Sequence, residues 1–88
     1  MEGGILEMST IEKLIARFLT RPKDFSWAEL VRVLKYFGYE ERAGSGSRRK
    51  FIHYDRQPII LHEPHPRRIL KMYQINLIYE VLKEEQLI

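Results

Sequence analysis

The stretch that decides the fold is residues 39–62, which read YEERAGSGSRRKFIHYDRQPIILH. It contains three short runs with the composition of strands, namely residues 39–42, 48–54 and 59–62. The breaks between these runs are rich in glycine and serine first, and then hold an aspartate and a proline, which are typical turn residues. Connections this short leave no room for crossover helices. We therefore expect an antiparallel meander with one face packed on helices and the other face free.

Helical patterns flank this stretch on both sides. Before it, Ser9 and Ser26 are each followed three residues later by a glutamate, which is the spacing of a capping box, and apolar residues recur at helical spacing after each. After it, a similar apolar stripe predicts a last helix over residues 71–85. The order of helix, helix, three strands and helix predicts an α+β fold in which a three-stranded antiparallel sheet packs on helices.

The composition limits the class of protein. A chain of 88 residues with 44% hydrophobic residues suffices for one compact domain. With no cysteine, it has no disulfide, no thiol nucleophile and no zinc site of the finger or ribbon type. No apolar run approaches the roughly 20 residues that cross a bilayer. The first residues lack the basic and apolar regions of a signal peptide, so we expect a cytoplasmic protein without a membrane segment.

Positive charge is concentrated in the middle of the chain. Residues 42–71 hold eight Lys and Arg residues against two acidic residues, a net charge of +6, while the remainder carries −3. A basic region of this kind is typical of a protein with a polyanion partner, because cations gain affinity by displacing counterions from phosphates. A solvated basic loop explains the same charge.

The densest group of cations follows two closely spaced glycines. It suits contact with a phosphate backbone, and we predict an RNA-binding set of Gly46, Ser47, Arg48, Arg49 and Lys50. Because side chains alternate along a strand, a buried Phe51 would place Arg48 and Lys50 together on the outer side of the sheet. The alternative is a flexible hairpin loop with solvated charges.

A second group lies at residues 62–68, which read HEPHPRR. His62 and His65 suit proton transfer near neutral pH, and Arg67 and Arg68 suit RNA binding and the stabilisation of charge on a phosphoryl group. These are the parts of a metal-independent ribonuclease, in which a histidine removes the proton of a 2′-hydroxyl. The alternative is a structural turn that is fixed by its prolines. Two histidines with only Glu63 nearby do not form a metal-ligand pattern, so we expect no metal and no other cofactor.

Several of these motifs, in this order, resemble those of the HicA toxins, which are small mRNA interferases of type II toxin–antitoxin systems. The motifs are FSWAELV at residues 25–31, GY at 38–39, GSRRKF at 46–51, PHP at 64–66 and the last helix. The resemblance implies a fold like that of double-stranded-RNA-binding domains over residues 25–88, preceded by an N-terminal extension helix within residues 1–24. It also implies mRNA as the target and a HicB-type antitoxin that covers the RNA surface.

The sequence departs from the family at one position. HicA toxins commonly have Gly-Ser-His at the start of the second strand, with this histidine as the catalytic residue, whereas here Arg48 follows Gly46 and Ser47. A guanidinium stays protonated and cannot act as a base. Either Arg48 stabilises charge while His65 or His62 transfers the proton, or the chain binds RNA without cutting it. A protein-interaction domain is a third alternative, and the unpaired edges of the sheet would allow a homodimer.

Overall fold

The computed structural model describes residues 9–88, and its elements follow the predicted order. They are α1 (Thr10–Leu19), α2 (Trp27–Tyr36), β1 (Glu40–Ala43), β2 (Arg48–Ile52), β3 (Ile59–His62) and α3 (Met72–Glu84). The predicted α+β class is confirmed. The prediction about a signal peptide concerns residues that lie outside the described residues, as does the first part of the predicted extension.

Both predicted capping boxes are formed. The Ser9 hydroxyl accepts from the Glu12 N–H at 3.2 Å, and the Glu12 carboxylate accepts from the Ser9 N–H at 2.9 Å. The same reciprocal pair joins Ser26 and Glu29, at 3.1 and 2.9 Å. Each box satisfies two backbone donors that the first turn of a helix leaves free, which fixes where α1 and α2 begin.

Strand β1 begins one residue later than predicted, because the backbone N–H of Tyr39 is hydrogen-bonded to the end of α2. Gly38 has a φ of 95°, the left-handed conformation expected at a helix C-terminus. The Tyr39 N–H donates to the Leu34 carbonyl at 2.9 Å and closes the helix. Pairing with β2 therefore starts at Glu40.

Strand β2 ends at Ile52, two residues earlier than predicted. The Asp55 N–H donates to Nδ1 of His53 at 3.0 Å, and this local bond turns the chain away from the sheet. Side-chain hydrogen bonds of this kind compete with the backbone hydrogen bonds between strands. Composition alone does not reveal at which residue the side-chain bond replaces strand pairing.

The three strands form one antiparallel sheet in the order β1-β2-β3. Its inner face carries Phe51, Ile59 and Leu61, all buried against the helices. The Trp27 ring lies 5.6 Å from that of Phe51, and Trp27 is itself buried in this core. Within residues 9–88 the helices pack on this face, and the other face of the sheet is left accessible.

Helix α1 joins the same core. Phe18 is fully buried, and its ring meets that of Phe25 edge to face at 5.5 Å. Arg17 donates to both carboxylate oxygens of Glu29 at 2.9 and 3.0 Å, and to Asp24 at 3.0 Å. The first helix is thereby tied to the start of α2 by apolar and ionic contacts.

Candidate functional site on the outer face of the sheet

The face of the sheet that points away from the helices is here called the outer face. The register places its side chains in rows, with Arg42 beside Lys50 and Lys50 beside Ile60. Its members are Glu40, Arg42, Arg48, Lys50, Ile52, Ile60 and His62. Along β2 the exposed residues are Arg48 and Lys50, while Phe51 is buried, so the predicted assignment of the strand faces is confirmed.

The outer face is positively charged. Three cations, Arg42, Arg48 and Lys50, lie in adjacent rows against one carboxylate, that of Glu40, which pairs with Arg42 at 2.9 Å. Both partners of this pair are more than half exposed, so the pair contributes little to stability. No carboxylate among residues 9–88 pairs with the other two cations, so they are available to an anion from solvent.

The register also brings two of the predicted site residues together. Arg48 on β2 lies directly opposite His62 on β3, and both side chains are exposed on the outer face. The Ser47 hydroxyl lies 3.4 Å from Nδ1 of His62, a long contact in which either group can donate. A permanently charged guanidinium, an imidazole and a hydroxyl thus lie at one corner of the sheet.

Two backbone contacts hold this corner. Beyond the last paired residues, the Glu63 N–H donates to the Ser47 carbonyl at 2.8 Å. The carbonyl of His62 accepts from Nε2 of Gln74, a buried side chain on α3, at 2.8 Å. Oε1 of Gln74 accepts in turn from the Lys71 N–H at 3.0 Å, at the start of α3. The position of His62 is therefore set by β2 and by the third helix together.

The turn between β1 and β2 is tight. The Arg48 N–H donates to the Ser45 carbonyl and the Gly44 N–H to the Arg48 carbonyl, each at 2.9 Å. Gly46 has a φ of 57°, and a Cβ there would meet open space. Glycine is therefore needed at this position for its backbone conformation, and the turn presents bare backbone beside Arg48.

Arg49 and Arg68 have different surroundings from Arg48. Arg49 donates to the carbonyls of Gly46 and Arg48 at 2.8 and 2.9 Å, and its Nε lies 3.5 Å from the Glu63 carboxylate. Arg68 donates to the same carboxylate, which is buried. The carboxylate of Glu63 thus joins two of the predicted RNA-binding cations, Arg49 on the inner side of the sheet and Arg68 in the loop after β3, and connects the turn to that loop.

The loop after β3 carries the remaining predicted residues, His65 and Arg67, and both are exposed. The loop is bonded to the start of α2 and to the chain just before it, because the Trp27 N–H donates to the Arg68 carbonyl and the Leu70 N–H to the Phe25 carbonyl, each at 2.8 Å. The His65–Pro66 peptide bond is cis. In the described part of the chain, no three His, Asp or Glu side chains are grouped so that they could hold a metal ion.

Gln74 is not among the residues predicted for the site, and Glu63 is predicted only as a neighbour of the histidines. A signal for Gln74 exists in the sequence, since it occupies the third position of α3, where glutamine commonly caps a helix. Nothing in the sequence shows that its amide also reaches the His62 carbonyl, because that contact depends on how α3 lies against β3.

The family model described as HicA toxin of bacterial toxin-antitoxin matches residues 27–84. The match runs from the first residue of α2 to the last residue of α3, so it covers the whole sheet and leaves α1 outside. Comparisons with curated proteins and with solved structures found no match. Within residues 9–88, no helix is both long enough and apolar enough to span a membrane.

Proposed function

The chain belongs to the HicA toxin family of bacterial toxin–antitoxin systems, and we propose that this toxin binds mRNA on the outer face and cuts it by metal-independent endoribonuclease chemistry. The observation that carries the proposal is the pairing of Arg48 with His62 across the two strands, with the Ser47 hydroxyl beside the imidazole. The site of action is the cytoplasm, where mRNA is translated.

His62 is the general base in this proposal. This role requires the tautomer in which Nδ1–H donates to the Ser47 hydroxyl, because the lone pair of Nε2 is then free to accept the proton of a ribose 2′-hydroxyl. The 2′ oxygen then bonds to the adjacent phosphorus, and the bond from phosphorus to the 5′ oxygen of the next nucleotide breaks. Arg48, opposite His62, stabilises the negative charge that develops on the phosphoryl oxygens.

The departing 5′ oxygen takes its proton from His65. This residue follows His62 by three positions, and three residues of extended chain span at most about 11 Å, so both imidazoles are within reach of one RNA backbone. The products are a 2′,3′-cyclic phosphate on one fragment and a 5′-hydroxyl on the other. His62 gains one proton in this step and His65 loses one. Exchange with water then returns both residues to their starting protonation states.

The RNA backbone follows the cations of the outer face. Arg48 and Lys50 bind phosphates directly, and the turn at Gly46 and Ser47 lets the backbone approach closely. Arg67 extends the contact beyond β3. In this proposal Arg49 and Arg68 hold the turn and the loop through Glu63, and their charges add to the positive field.

The test is cleavage of an unstructured RNA by the purified protein in EDTA. We expect fragments that end in cyclic phosphate, and a loss of rate of about a hundredfold or more in His62→Ala and in His65→Ala, the range for general acid–base groups. Arg32→Gln, which removes an exposed cation from α2, is the matched control and should cut at the rate of the unaltered protein. Intact RNA at high protein concentration contradicts the catalytic proposal.

A second variant separates the role of His62 from a general effect of substitution. Arg48→His restores the Gly-Ser-His motif that the family commonly has. If the two strand positions serve the same phosphate, this change should restore cleavage to a His62→Ala protein. Continued inactivity of the double variant, with its fold intact, would show that the two positions are not equivalent.

Arg48 itself favours a second candidate function, a HicA-like module that binds RNA without cutting it. A guanidinium stands where the family's catalytic histidine is expected, and it cannot accept a proton. Both candidates predict the same RNA affinity, and only the first predicts cyclic-phosphate ends. A protein-interaction domain predicts neither binding nor cleavage.

The partner we propose is a HicB-like antitoxin that covers the outer face. An adjacent short gene that encodes such a protein is the cheapest supporting observation. Among the described residues, β1 and β3 are the edge strands of the sheet, and the backbone groups on their outer edges are the basis for proposing a homodimer. Sedimentation that shows only monomer at all accessible concentrations would remove the homodimer from the proposal.

A further inference from the structure

An exposed aromatic side chain lies at the end of the outer face away from the Arg48–His62 pair. Tyr54 is 94% exposed, more than any other large hydrophobic side chain among residues 9–88. Its ring stacks on that of His53, with centroids 4.7 Å apart and planes 22° apart. His53 in turn meets the buried ring of Tyr39 edge to face at 4.9 Å. One face of the Tyr54 ring is thus supported by the protein.

The imidazole beneath Tyr54 is held in place from several sides. Nδ1 of His53 accepts from the Asp55 N–H at 3.0 Å, so the proton is on Nε2, which donates to the Phe37 carbonyl at 3.2 Å. A Cβ at Gly38 would lie 2.8 Å from this Nε2. The imidazole therefore fills space that only a glycine leaves open, and the hydrogen bonds at both of its nitrogens hold it in one orientation under Tyr54.

A cleft of about 240 Å³ lies beside this platform. Its lining includes Tyr54 and His53 together with Glu40, Arg42 and Ile52, three residues that the register places on the outer face. The cleft therefore opens on the same surface as the Arg48–His62 pair. It combines a stacked aromatic ring with a cation, the two groups that proteins use to bind single-stranded nucleic acid.

We infer that this cleft is a nucleobase subsite, in which a base of the bound RNA stacks on Tyr54 and Arg42 contacts the phosphate beside it. The inference rests on the proposed function, since it concerns how the same RNA strand is held. Ile52 follows Arg48 by four residues, a distance of about 13 Å along β2. The stacked base therefore belongs to a nucleotide further along the strand and not to one of the two nucleotides that the cut bond joins.

The chemistry of the subsite determines which ligands it binds. Every base has a π face, so stacking on Tyr54 tolerates any sequence and adds affinity rather than strict selectivity. Arg42 is paired with Glu40 through an exposed contact at 2.9 Å, and a phosphate can replace such a partner at low cost. An RNA strand is favoured over a protein partner because the stacking ring and the cations lie along one continuous face.

The experiment uses an unstructured 2′-O-methyl oligoribonucleotide, in which the attacking hydroxyl is blocked, with the fluorescent base 2-aminopurine placed at successive positions. We expect quenching at one position, through stacking on Tyr54. Tyr54→Ala should remove this quenching and raise Kd about fivefold or more, as for other base–aromatic contacts. The salt dependence should stay the same, because the charge of the protein does not change. Tyr54→Phe, which keeps the aromatic ring, should retain both the quenching and the affinity of the unaltered protein.

The matched control is Tyr73→Ala, which removes a tyrosine that is 64% exposed on α3. It should leave Kd and quenching unchanged. If the unaltered protein binds the oligonucleotide and Tyr54→Ala binds it equally well, the subsite is wrong while the proposed function stands. If the unaltered protein binds no RNA at all, both are overturned. A thermal midpoint in Tyr54→Ala close to that of the unaltered protein confirms that the comparison is between folded proteins.

Discussion

Arg48 and Arg49 are neighbours in the sequence, but they have opposite surroundings. Arg48 lies on the outer face, where its side chain is exposed to solvent and its strand position is opposite His62. Arg49 points to the inner side and donates to the turn carbonyls of Gly46 and Arg48, beside the buried carboxylate of Glu63. At the scale of single residues, the period of two in a strand separates a cation that can bind a ligand from one that supports the fold.

This separation predicts the effect of removing the outer cations. Arg48→Gln combined with Lys50→Gln should weaken RNA binding for all sequences. It should also flatten the dependence of log affinity on log salt by about 0.7 for each phosphate that the variant no longer neutralises, the slope for single strands. Titration of a fluorescent oligonucleotide at several salt concentrations measures both quantities.

The control for the double variant is Lys13→Gln with Arg32→Gln, which removes two exposed cations from the helical side of the molecule. It changes the net charge by the same amount and should leave the salt slope nearly unchanged. Equal slopes in the two double variants would show that the outer cations are only solvated. The thermal midpoints of both should change little, since these are surface positions.

At the scale of elements, the start of α2 joins two helices. Glu29 caps the helix by accepting from the Ser26 N–H, and its carboxylate also accepts from Arg17 of α1. Burial raises the pKa of the Glu29 carboxyl, but the bonds from Ser26 and Arg17 outweigh burial, and the pKa lies below its ordinary value of 4.5. A lowered pKa means that folding favours the charged form.

The consequence is a stability that depends on pH. The stabilisation from Glu29 is present above pH 4.5, the ordinary pKa of the carboxyl, and is lost as pH falls through the lowered pKa of the folded state. Glu29→Gln retains the cap and removes the ion pair, so we expect a loss of about 1 kcal/mol near neutral pH that shrinks towards zero in acid. Urea denaturation at about pH 7 and about pH 3 measures the difference. Glu80→Gln, an exposed position on α3, is the control, and a Glu29 effect independent of pH would contradict the assignment.

At the scale of the whole molecule, α1 shares its core with the elements that match the family. The matched region begins at residue 27, yet Phe18 of α1 is fully buried in the same core cluster as Leu30 and Leu34 of α2. We propose that α1 is an extension of the HicA domain that folds as one unit with it. Phe18→Ala should then lower the free energy of unfolding by about 3–5 kcal/mol, the usual effect of removing a buried phenylalanine.

The measurement is denaturation followed both by the fluorescence of Trp27, which lies in the core shared by α2 and the sheet, and by circular dichroism. A single coincident transition that shifts with Phe18→Ala supports one cooperative unit. Separate transitions, or a transition that does not move, would show that α1 is attached to the domain without stabilising it.

The sequence alone was enough to predict the order of elements, the two capping boxes and the orientation of β2. These features depend on residues close together in the chain, such as Ser26 with Glu29 or Arg48 with Lys50, and on the fixed periods of helix and strand. The bounds of β1 and β2 were missed by one or two residues, because hydrogen bonds made by Tyr39 and His53 decide where pairing starts and stops.

Only the tertiary structure decided which predicted residues share a site. His62 could stand beside Arg48 or away from it until the register of β3 against β2 was known, since a shift by one residue would turn its side chain to the other face. In the same way, the roles of Gln74 and Glu63 come from contacts between distant parts of the chain. Residues close together in the chain determine the periodicity of each element and the helix caps. The register of β3 and the packing of α3 depend instead on how the whole core is buried, to which all the elements contribute.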